Sequence, residues 1–218
     1  MEKLTAFIAA LTILFSSPSY ASLTTALQKI ENTKIVCIDP GHGGDDSGAV
    51  SGDLTEAEVN LNIAKRLQKL LIADNYAVIM TRDDANTTLT NSQRAQICDD
   101  HHADLLVAIH LNANVNPAMD YTQTLYGTAT KDKAFATTMH QSLLKELGIG
   151  NPPKADDAVT DFDDNLLLKA KMPATLVETV FITSPTEDTL LSTGSRQQQI
   201  AQALYEGITT WVTTQKGK

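Results

Sequence analysis

Short apolar segments alternate with amphipathic segments along most of the chain. Short apolar runs that stop at turn residues predict buried strands. The predicted strands are residues 34–39, 76–81, 104–110 and 174–179, with weaker extended segments at 122–126 and 166–168. Apolar positions three and four residues apart predict helices at 55–73, 90–101, 131–147 and 195–213. Strands that alternate with helices indicate an α/β fold: a single domain with a mostly parallel twisted sheet of about six strands and helices on both faces.

Two of the predicted helices begin with a capping-box pattern, in which Ser or Thr is followed three residues later by Glu or Gln. Thr55 and Glu58 form one such pair, and Thr90 and Gln93 form the other. If Thr55 is the N-cap, Glu56 is the first helical residue. Its carboxylate is then not needed for the box and is available for another role.

The first 21 residues differ in character from the rest of the chain. Lys3 precedes an apolar run at 4–15, and small residues follow up to Ser19-Tyr20-Ala21. This pattern predicts a signal peptide cleaved after Ala21, which leaves residues 22–218 as the mature protein. A membrane anchor is the alternative, but the run is short against the roughly 20 residues that span a bilayer. No second such run follows, so we expect an exported protein, periplasmic or extracellular, without a membrane span.

Net charge argues against one class of partner, and the two cysteines raise the question of a disulfide. Lys and Arg total 17 against 26 Asp and Glu, a net charge of −9 that opposes nucleic-acid binding. Removal of residues 1–21 takes away Glu2 and Lys3 and leaves that charge unchanged. Cys37 and Cys98 can form one disulfide in an oxidising compartment. Because both lie in apolar segments, two buried thiols are the preferred interpretation and the disulfide is the alternative.

Three predicted strands lead into residues that can bind a metal or move a proton: His42, His110 and Glu178. Sites in α/β sheets form beyond the carboxyl ends of the strands, so these side chains are expected to meet, together with Glu56. Two histidines and one carboxylate are a common catalytic zinc set, with Glu178 left as the base. Taken singly, a strand-end histidine is more often structural. The glycine-rich loop at 39–48 lacks phosphate-binding spacings, and its acidic residues would repel an anion. Glycines that let the backbone crowd a metal-bound histidine explain the loop better.

Other polar residues are assigned no chemistry. His101 and His102 are expected to be exposed at a helix end, and His140 lies within a helix. The acidic stretch at 156–164 lacks the regular ligand spacing of a calcium loop, so a solvated loop is predicted there.

The chain resembles the zinc-dependent N-acetylmuramoyl-L-alanine amidases of the type 3 catalytic domain, from about residue 34 to the C-terminus. The resemblance rests on segments whose order and spacing agree together: IVCIDPGHGGDDSGAV (35–50), LTEAEVNLNIAKRL (54–67), TRDD (81–84), ADLLVAIHLNAN (103–114) and PATLVETVFITSPTED (173–188). It implies that His42, Glu56 and His110 bind one zinc ion per chain and that Glu178 is the catalytic carboxylate. It also implies cleavage of the amide between the lactyl group of N-acetylmuramic acid and L-alanine in peptidoglycan. Ala57, Leu111 and Val180 depart from the usual family residues, and none is an expected ligand.

Two other functions stay open on the sequence: a zinc peptidase or amidase that cuts another cell-wall amide bond, and a non-catalytic wall-binding module. Some members of the family carry a long helix that blocks the zinc until an activator removes it. The corresponding segment here, 148–165, contains two glycines and two prolines before its acidic run, which opposes a helix. We therefore expect the protein to be active on peptidoglycan without an activator. A targeting or activator protein is the open alternative. We also expect a monomer.

Overall fold

The computed structural model describes residues 22, 25, 33–154 and 157–216. The predicted signal peptide, residues 1–21, lies outside the described residues. The chain divides into two units, Met1–Lys34 and Ile35–Lys218. In the first unit Ser22 and Thr25 are helical, and the second unit contains the sheet and the site.

The described residues of the second unit form strands and helices in alternation, as predicted. The strands are β1 (Ile35–Pro40), β2 (Val50–Ser51), β3 (Leu54–Thr55), β4 (Ala77–Met80), β5 (Leu105–Asn112), β6 (Gln123–Tyr126), β7 (Val159–Asp161) and β8 (Ala174–Phe181). The helices are α1 (Glu56–Ala73), α2 (Asn91–Asp100), α3 (Ala129–Leu147), α4 (Asn165–Lys169), α5 (Pro185–Ser192) and α6 (Ser195–Lys216).

Six strands form one sheet in the order β4-β1-β5-β8-β6-β7. β1 pairs in parallel with β4 and β5, and β5 pairs in parallel with β8. β6 runs antiparallel to β8 and carries β7 in parallel on its other side. The prediction of a mostly parallel six-stranded sheet is confirmed. The carboxyl ends of β1, β5 and β8 therefore lie side by side at one edge of the sheet.

Alternate strand residues pack against helices on the two opposite faces of the sheet. Val36 and Ile38 of β1 belong to the larger core cluster, which also contains the apolar faces of α1, α3 and α6. Cys37, the residue between them, belongs to a smaller cluster with α2 and α4. A period of two along buried strands places successive side chains on opposite faces. The predicted helix cover on both faces is confirmed.

The predicted capping box at the start of α1 is wrong, although the helix begins where expected. The Thr55 side chain makes no cap hydrogen bond. Thr55 instead pairs with Val50 in the β2–β3 hairpin. The first helical amides are satisfied by loop carbonyls: Glu56 N–H donates to Ala49 O at 2.8 Å, and Ala57 N–H donates to Ser47 O at 3.0 Å. The capping box of Thr90 and Gln93 at the start of α2 is confirmed.

The segment Leu166–Leu168 is helical and not extended as predicted. It lies in α4, whose N-cap Asp164 accepts a hydrogen bond from the Leu166 amide at 2.6 Å. Three consecutive leucines are too few to show a period, so the cap decides the structure. The hairpin β2–β3, strand β7 and helix α5 were not predicted.

Cys37 and Cys98 form a disulfide that joins β1 to α2 across 61 residues of sequence. The preferred interpretation of two buried thiols is wrong, and its alternative is correct. Both residues are fully buried, so their apolar surroundings do not distinguish a thiol from a bridge. No helix among the described residues combines the length and apolar character needed to cross a bilayer.

Candidate active site

His110 and Glu178 lie opposite each other on the neighbouring parallel strands β5 and β8. Register partners on adjacent strands present their side chains to the same face of the sheet. Ala108 and Leu176, two residues earlier on the same strands, pack in the cluster with α2 and α4. His110 and Glu178 therefore lie on that same face of the sheet. Two of the four predicted site residues are thus brought together by sheet register alone.

Glu56, the first residue of α1, is buried beside His110. The Leu111 amide donates to Glu56 Oε1 at 3.0 Å, and the Ala49 amide donates to Oε2 at 3.0 Å. The Asn60 side chain, one turn along the helix, lies 3.4 Å from Oε1. These bonds fix the orientation of the carboxylate, so Glu56 is more than a favourable charge at a helix start.

His42 lies two residues beyond the end of β1, and its backbone has a φ of 60°. Its Nε2 lies 3.1 Å from Glu56 Oε1, and Nδ1 of His110 lies 3.1 Å from the same oxygen. One donor atom from each of these three residues can be chosen such that all lie within 4.8 Å of one another. The structure therefore brings the three predicted metal ligands together from three separate elements.

Two glycines allow the backbone to approach the donor residues closely. A Cβ at Gly41 would lie 2.3 Å from ring atoms of His110. A Cβ at Gly48 would lie 2.6 Å from the His42 ring and 2.7 Å from Glu56 Oε2. Side chains at either position would collide with the donors, which is the reason for the glycine-rich loop.

The charges of the site are strongly coupled. Burial acts to lower the pKa of His42, but the Glu56 and Asp46 carboxylates outweigh it and raise that pKa to about 9. Burial acts to raise the pKa of Glu56, but hydrogen bonds with His110 and His42 hold it well below its usual value. An anionic carboxylate between two imidazoles thus brings several metal-ligand atoms together and favours the binding of a cation.

A second layer of polar residues surrounds the donors. Asp46 Oδ2 lies 2.8 Å from His42 Nδ1, the ring nitrogen that faces away from Glu56. The hydrogen bond to His42 lowers the pKa of Asp46. Metal-binding histidines commonly bond a carboxylate through their other nitrogen, which orients the ring. This role of Asp46 was not predicted, because the acidic residues of the loop indicated only that it would repel an anion.

Arg82 and Arg94 also approach the His42 segment, and neither was assigned a role from the sequence. Arg82 follows β4 at the same sheet edge as His42, which is the sequence signal that could have identified it. Arg94 belongs to α2, and no short-range pattern pointed to it.

Glu178 differs from Glu56 in its surroundings. Its Oε2 is buried and has no hydrogen-bond partner among the described residues. Burial raises the pKa of Glu178, and the neighbouring histidines counteract this only in part. A cavity of about 400 Å³ contains His42, Glu56, His110 and Glu178 in its lining, along with Phe162 and Asp164. A carboxylate that lines such a cavity is suited to contact a substrate or a water molecule.

The donor set passes a test of fit for zinc. Two imidazole nitrogens and one carboxylate oxygen converge, and the other nitrogen of His42 contacts the Asp46 carboxylate. The cavity beside them has room for a further ligand. Catalytic zinc sites have this composition, with one open position. The three residues are therefore a candidate metal-binding triad.

The remaining histidines lie away from the triad. His101 and His102 are exposed at the end of α2, as predicted. His140 is buried in α3, where its ring nitrogens contact Thr124 Oγ1 at 3.2 Å and Asn151 Oδ1 at 2.7 Å. Leu111 and Val180, two of the departures from family residues, are buried in the core.

Comparison with known proteins agrees with the site. A family model described as N-acetylmuramoyl-L-alanine amidase matches residues 36–210. The chain is 34% identical over 175 residues to the N-acetylmuramoyl-L-alanine amidase LytC of Bacillus subtilis (strain 168), a match that covers 79% of this chain and 34% of LytC. It is 31% identical over 199 residues to the germination-specific N-acetylmuramoyl-L-alanine amidase of the same organism, covering 84% of this chain and 81% of that relative.

A solved structure shares the fold. The CwlD amidase from Clostridioides difficile, in complex with the GerS lipoprotein, has a TM-score of 0.76 at 27% identity and covers 84% of this chain and 100% of its own. The fold and the site define an α/β enzyme of the amide-hydrolase class. More particularly, the chain belongs to the N-acetylmuramoyl-L-alanine amidase family.

Proposed function

We propose that this protein is a zinc-dependent peptidoglycan amidase, and that it cleaves the bond between the lactyl group of N-acetylmuramic acid and L-alanine of the stem peptide. The convergence of His42, Glu56 and His110 beside Glu178 is the observation that carries the proposal. We assign the first three residues as ligands of one zinc ion and Glu178 as the catalytic carboxylate.

The bound zinc would supply Lewis-acid chemistry, making water a nucleophile near neutral pH and polarising the substrate carbonyl. Glu178 takes the proton of the attacking water and passes it to the leaving amine of L-alanine. A raised pKa suits this role, because the carboxylate must hold the proton between the two transfers. Asp46 contacts the other ring nitrogen of His42 and would keep that imidazole in place during the reaction.

Product analysis tests the choice of bond. Purified protein with zinc is incubated with purified peptidoglycan, and the soluble products are identified by mass spectrometry. Stem peptides with a free L-alanine amine, together with glycan chains that keep a free lactyl group, are the expected products. Shortened stem peptides would instead support a peptidase that acts on another wall amide. Binding without any product would support the non-catalytic module.

The compartment is a further part of the proposal. Residues 1–21 have the composition of a signal peptide, and the disulfide between Cys37 and Cys98 suits an oxidising compartment. We propose that residues 22–218 form the mature catalytic domain, exported to the periplasm or the cell exterior. N-terminal sequencing of the exported protein should begin at Ser22.

The protein's binding partners follow from the same chemistry. We expect a monomer whose main partner is peptidoglycan, and sedimentation at micromolar concentration measures its mass. The CwlD amidase was solved with a lipoprotein. A protein that targets this chain to the wall is therefore also proposed, and co-purification from the native host under crosslinking tests it.

A further inference from the structure

Two arginine side chains are buried against the backbone of the segment that carries His42. Arg82 is 3% exposed and Arg94 is 4% exposed, although each carries a charge. Buried arginines are usually paired with carboxylates. Here most of their hydrogen bonds go to main-chain carbonyls instead.

Arg82 connects the His42 segment to the helix that carries Glu56. Its Nε donates to Pro40 O at 3.1 Å and to His42 O at 2.7 Å. One of its terminal nitrogens donates to Gly41 O and to Ala57 O, both at 2.8 Å. A single guanidinium thus binds the carbonyls of residues 40–42 and connects them to the first turn of α1.

Arg94 approaches the same segment from α2. It donates to Pro40 O at 2.9 Å and, through its other terminal nitrogen, to His42 O at 2.8 Å. It also bonds Asp39 Oδ1 at 2.8 Å. Among the described residues, Asp39 is the one carboxylate in an ion pair with either guanidinium. The two cations are therefore placed side by side for their bonds to carbonyls rather than for charge neutralisation.

These bonds act on a residue whose backbone conformation is unfavourable. With a φ of 60°, His42 adopts the left-handed conformation, which is unfavourable for a non-glycine residue. Its carbonyl accepts charge-assisted bonds from both arginines, which are the stronger class of hydrogen bond. Gly43 leaves room for this arrangement, since a Cβ there would lie 2.6 Å from Arg82 Nε.

We propose that Arg82 and Arg94 are positioning residues, which hold the backbone of His42 so that its imidazole meets Glu56 and His110. The inference rests on the proposed function, because it concerns the geometry of the same ligand set. Neither arginine touches the donor atoms in any bond described, so both act through the His42 main chain.

The test compares Arg82→Lys and Arg94→Lys with Arg196→Lys. Arg196 is a matched control: it is 7% exposed, bonds Glu187 with two nitrogens at 2.6 and 2.7 Å, and donates to Leu147 O. Lysine keeps the charge but loses the planar fork that reaches several carbonyls. Zinc affinity is measured by chelator competition, and hydrogen exchange of the Gly43 and Gly44 amides is measured in zinc-free protein.

Arg82→Lys and Arg94→Lys should weaken zinc binding about 10–100-fold, the usual effect of losing a residue that orients a ligand. Loop amides should exchange faster in the zinc-free variants, and excess zinc should restore part of the activity. Arg196→Lys should lower the melting temperature with zinc affinity unchanged within about twofold. Unchanged zinc affinity and loop exchange in both test variants, with only a lower melting temperature, would overturn the inference.

Two further outcomes are informative. If the unsubstituted protein binds no zinc, the proposed function fails, and loop exchange in the zinc-free variants still decides the role of the arginines. If the lysine variants do not fold, Gly43→Ala disturbs the same contact while retaining the guanidinium, because its Cβ would lie 2.6 Å from Arg82 Nε and its φ of 126° strains the loop. A folded Gly43→Ala protein with normal zinc affinity contradicts the positioning role.

Discussion

At the scale of single residues, the carboxylate of Glu56 organises the site. One of its oxygens lies 3.1 Å from nitrogens of both His42 and His110, and two backbone amides fix its orientation. Read from the sequence alone, a glutamate at a helix start looks like a favourable dipole charge. Glu56 is a candidate ligand because the fold places it beside two histidines, and no local sequence pattern shows this position.

Replacing any one donor by alanine should remove zinc. We expect His42→Ala, Glu56→Ala and His110→Ala each to lower bound zinc well below one equivalent and to abolish hydrolysis, because a catalytic site has three protein ligands. Metal analysis after gel filtration measures the zinc content. His101 is an exposed histidine at the end of α2, so His101→Ala is the control and should keep both its zinc and its hydrolytic activity. A Glu56→Ala protein with a full equivalent of zinc would refute the ligand assignment.

Glu178→Gln should separate the base from the ligands. Glutamine keeps the shape of the side chain but cannot take a proton, so the rate should fall by about 10²–10⁴ while zinc content is unchanged. Initial rates on labelled peptidoglycan and metal analysis of the same sample measure the two effects. Loss of zinc from this variant would place Glu178 in the coordination shell and contradict its assigned role.

Three of the four site residues could be predicted because strands lead into His42, His110 and Glu178 at one sheet edge, whereas the ligand role of Glu56 rested on the family resemblance. The surrounding residues could not be predicted in the same way. Arg94 reaches the site only because α2 packs across β1, a long-range contact with no short-range signal. Asp46 is one of two adjacent aspartates, and the loop conformation alone decides which one meets His42.

At the scale of elements, local patterns predicted helices and strands well but failed where a partner outside the element mattered. Thr55 and Thr90 carry the same capping signal, yet only Thr90 forms the box. Thr55 is drawn into the β2–β3 hairpin, and the loop carbonyls of Ala49 and Ser47 take the amides that a cap would bind. Tertiary contacts there override a correct local rule.

The disulfide between β1 and α2 should contribute to stability through the unfolded chain. Closing a loop of 61 residues restricts that ensemble by about 4 kcal/mol in the chain-entropy account. We expect the double variant Cys37→Ala/Cys98→Ala to unfold at clearly lower urea concentration than the oxidised protein. Reduced unsubstituted protein is the comparison that isolates the bridge from the lost sulfur atoms. Equal unfolding free energies in oxidised and reduced protein would show that the bridge adds nothing.

At the scale of the whole molecule, the sheet order places the site beneath an open cavity. β1, β5 and β8 are adjacent, so their carboxyl ends deliver His42, His110 and Glu178 to one place. The order of strands was not predicted, since alternation of helices and strands is compatible with several orders. The predicted residues nevertheless lie close together, because parallel strands share one carboxyl edge and this order makes the three strands neighbours.

The segment between α3 and α4 bears on regulation. Its described residues, 148–154 and 157–164, contain strand β7 and no long helix. β7 pairs with β6 at the sheet edge, and the Phe162 amide donates to Tyr126 O at 2.9 Å. Phe162 and Asp164 then lie in the wall of the cavity, which keeps a volume of about 400 Å³. The described residues of this segment thus pair with the sheet and leave the cavity unfilled.

We therefore predict that residues 22–218, purified with zinc, release dye from labelled peptidoglycan without any activator protein. No described segment has to leave the cavity before a substrate reaches Glu178, so adding a partner should not change kcat. The net charge of −9 gives no attraction towards anionic wall polymers, so a partner that targets the enzyme would lower KM instead. The Glu178→Gln protein and a chelator-treated sample are the inactive controls, and zinc should restore only the second. Purified protein that stays silent with zinc, and that a partner protein then activates, would show that access to this site is controlled.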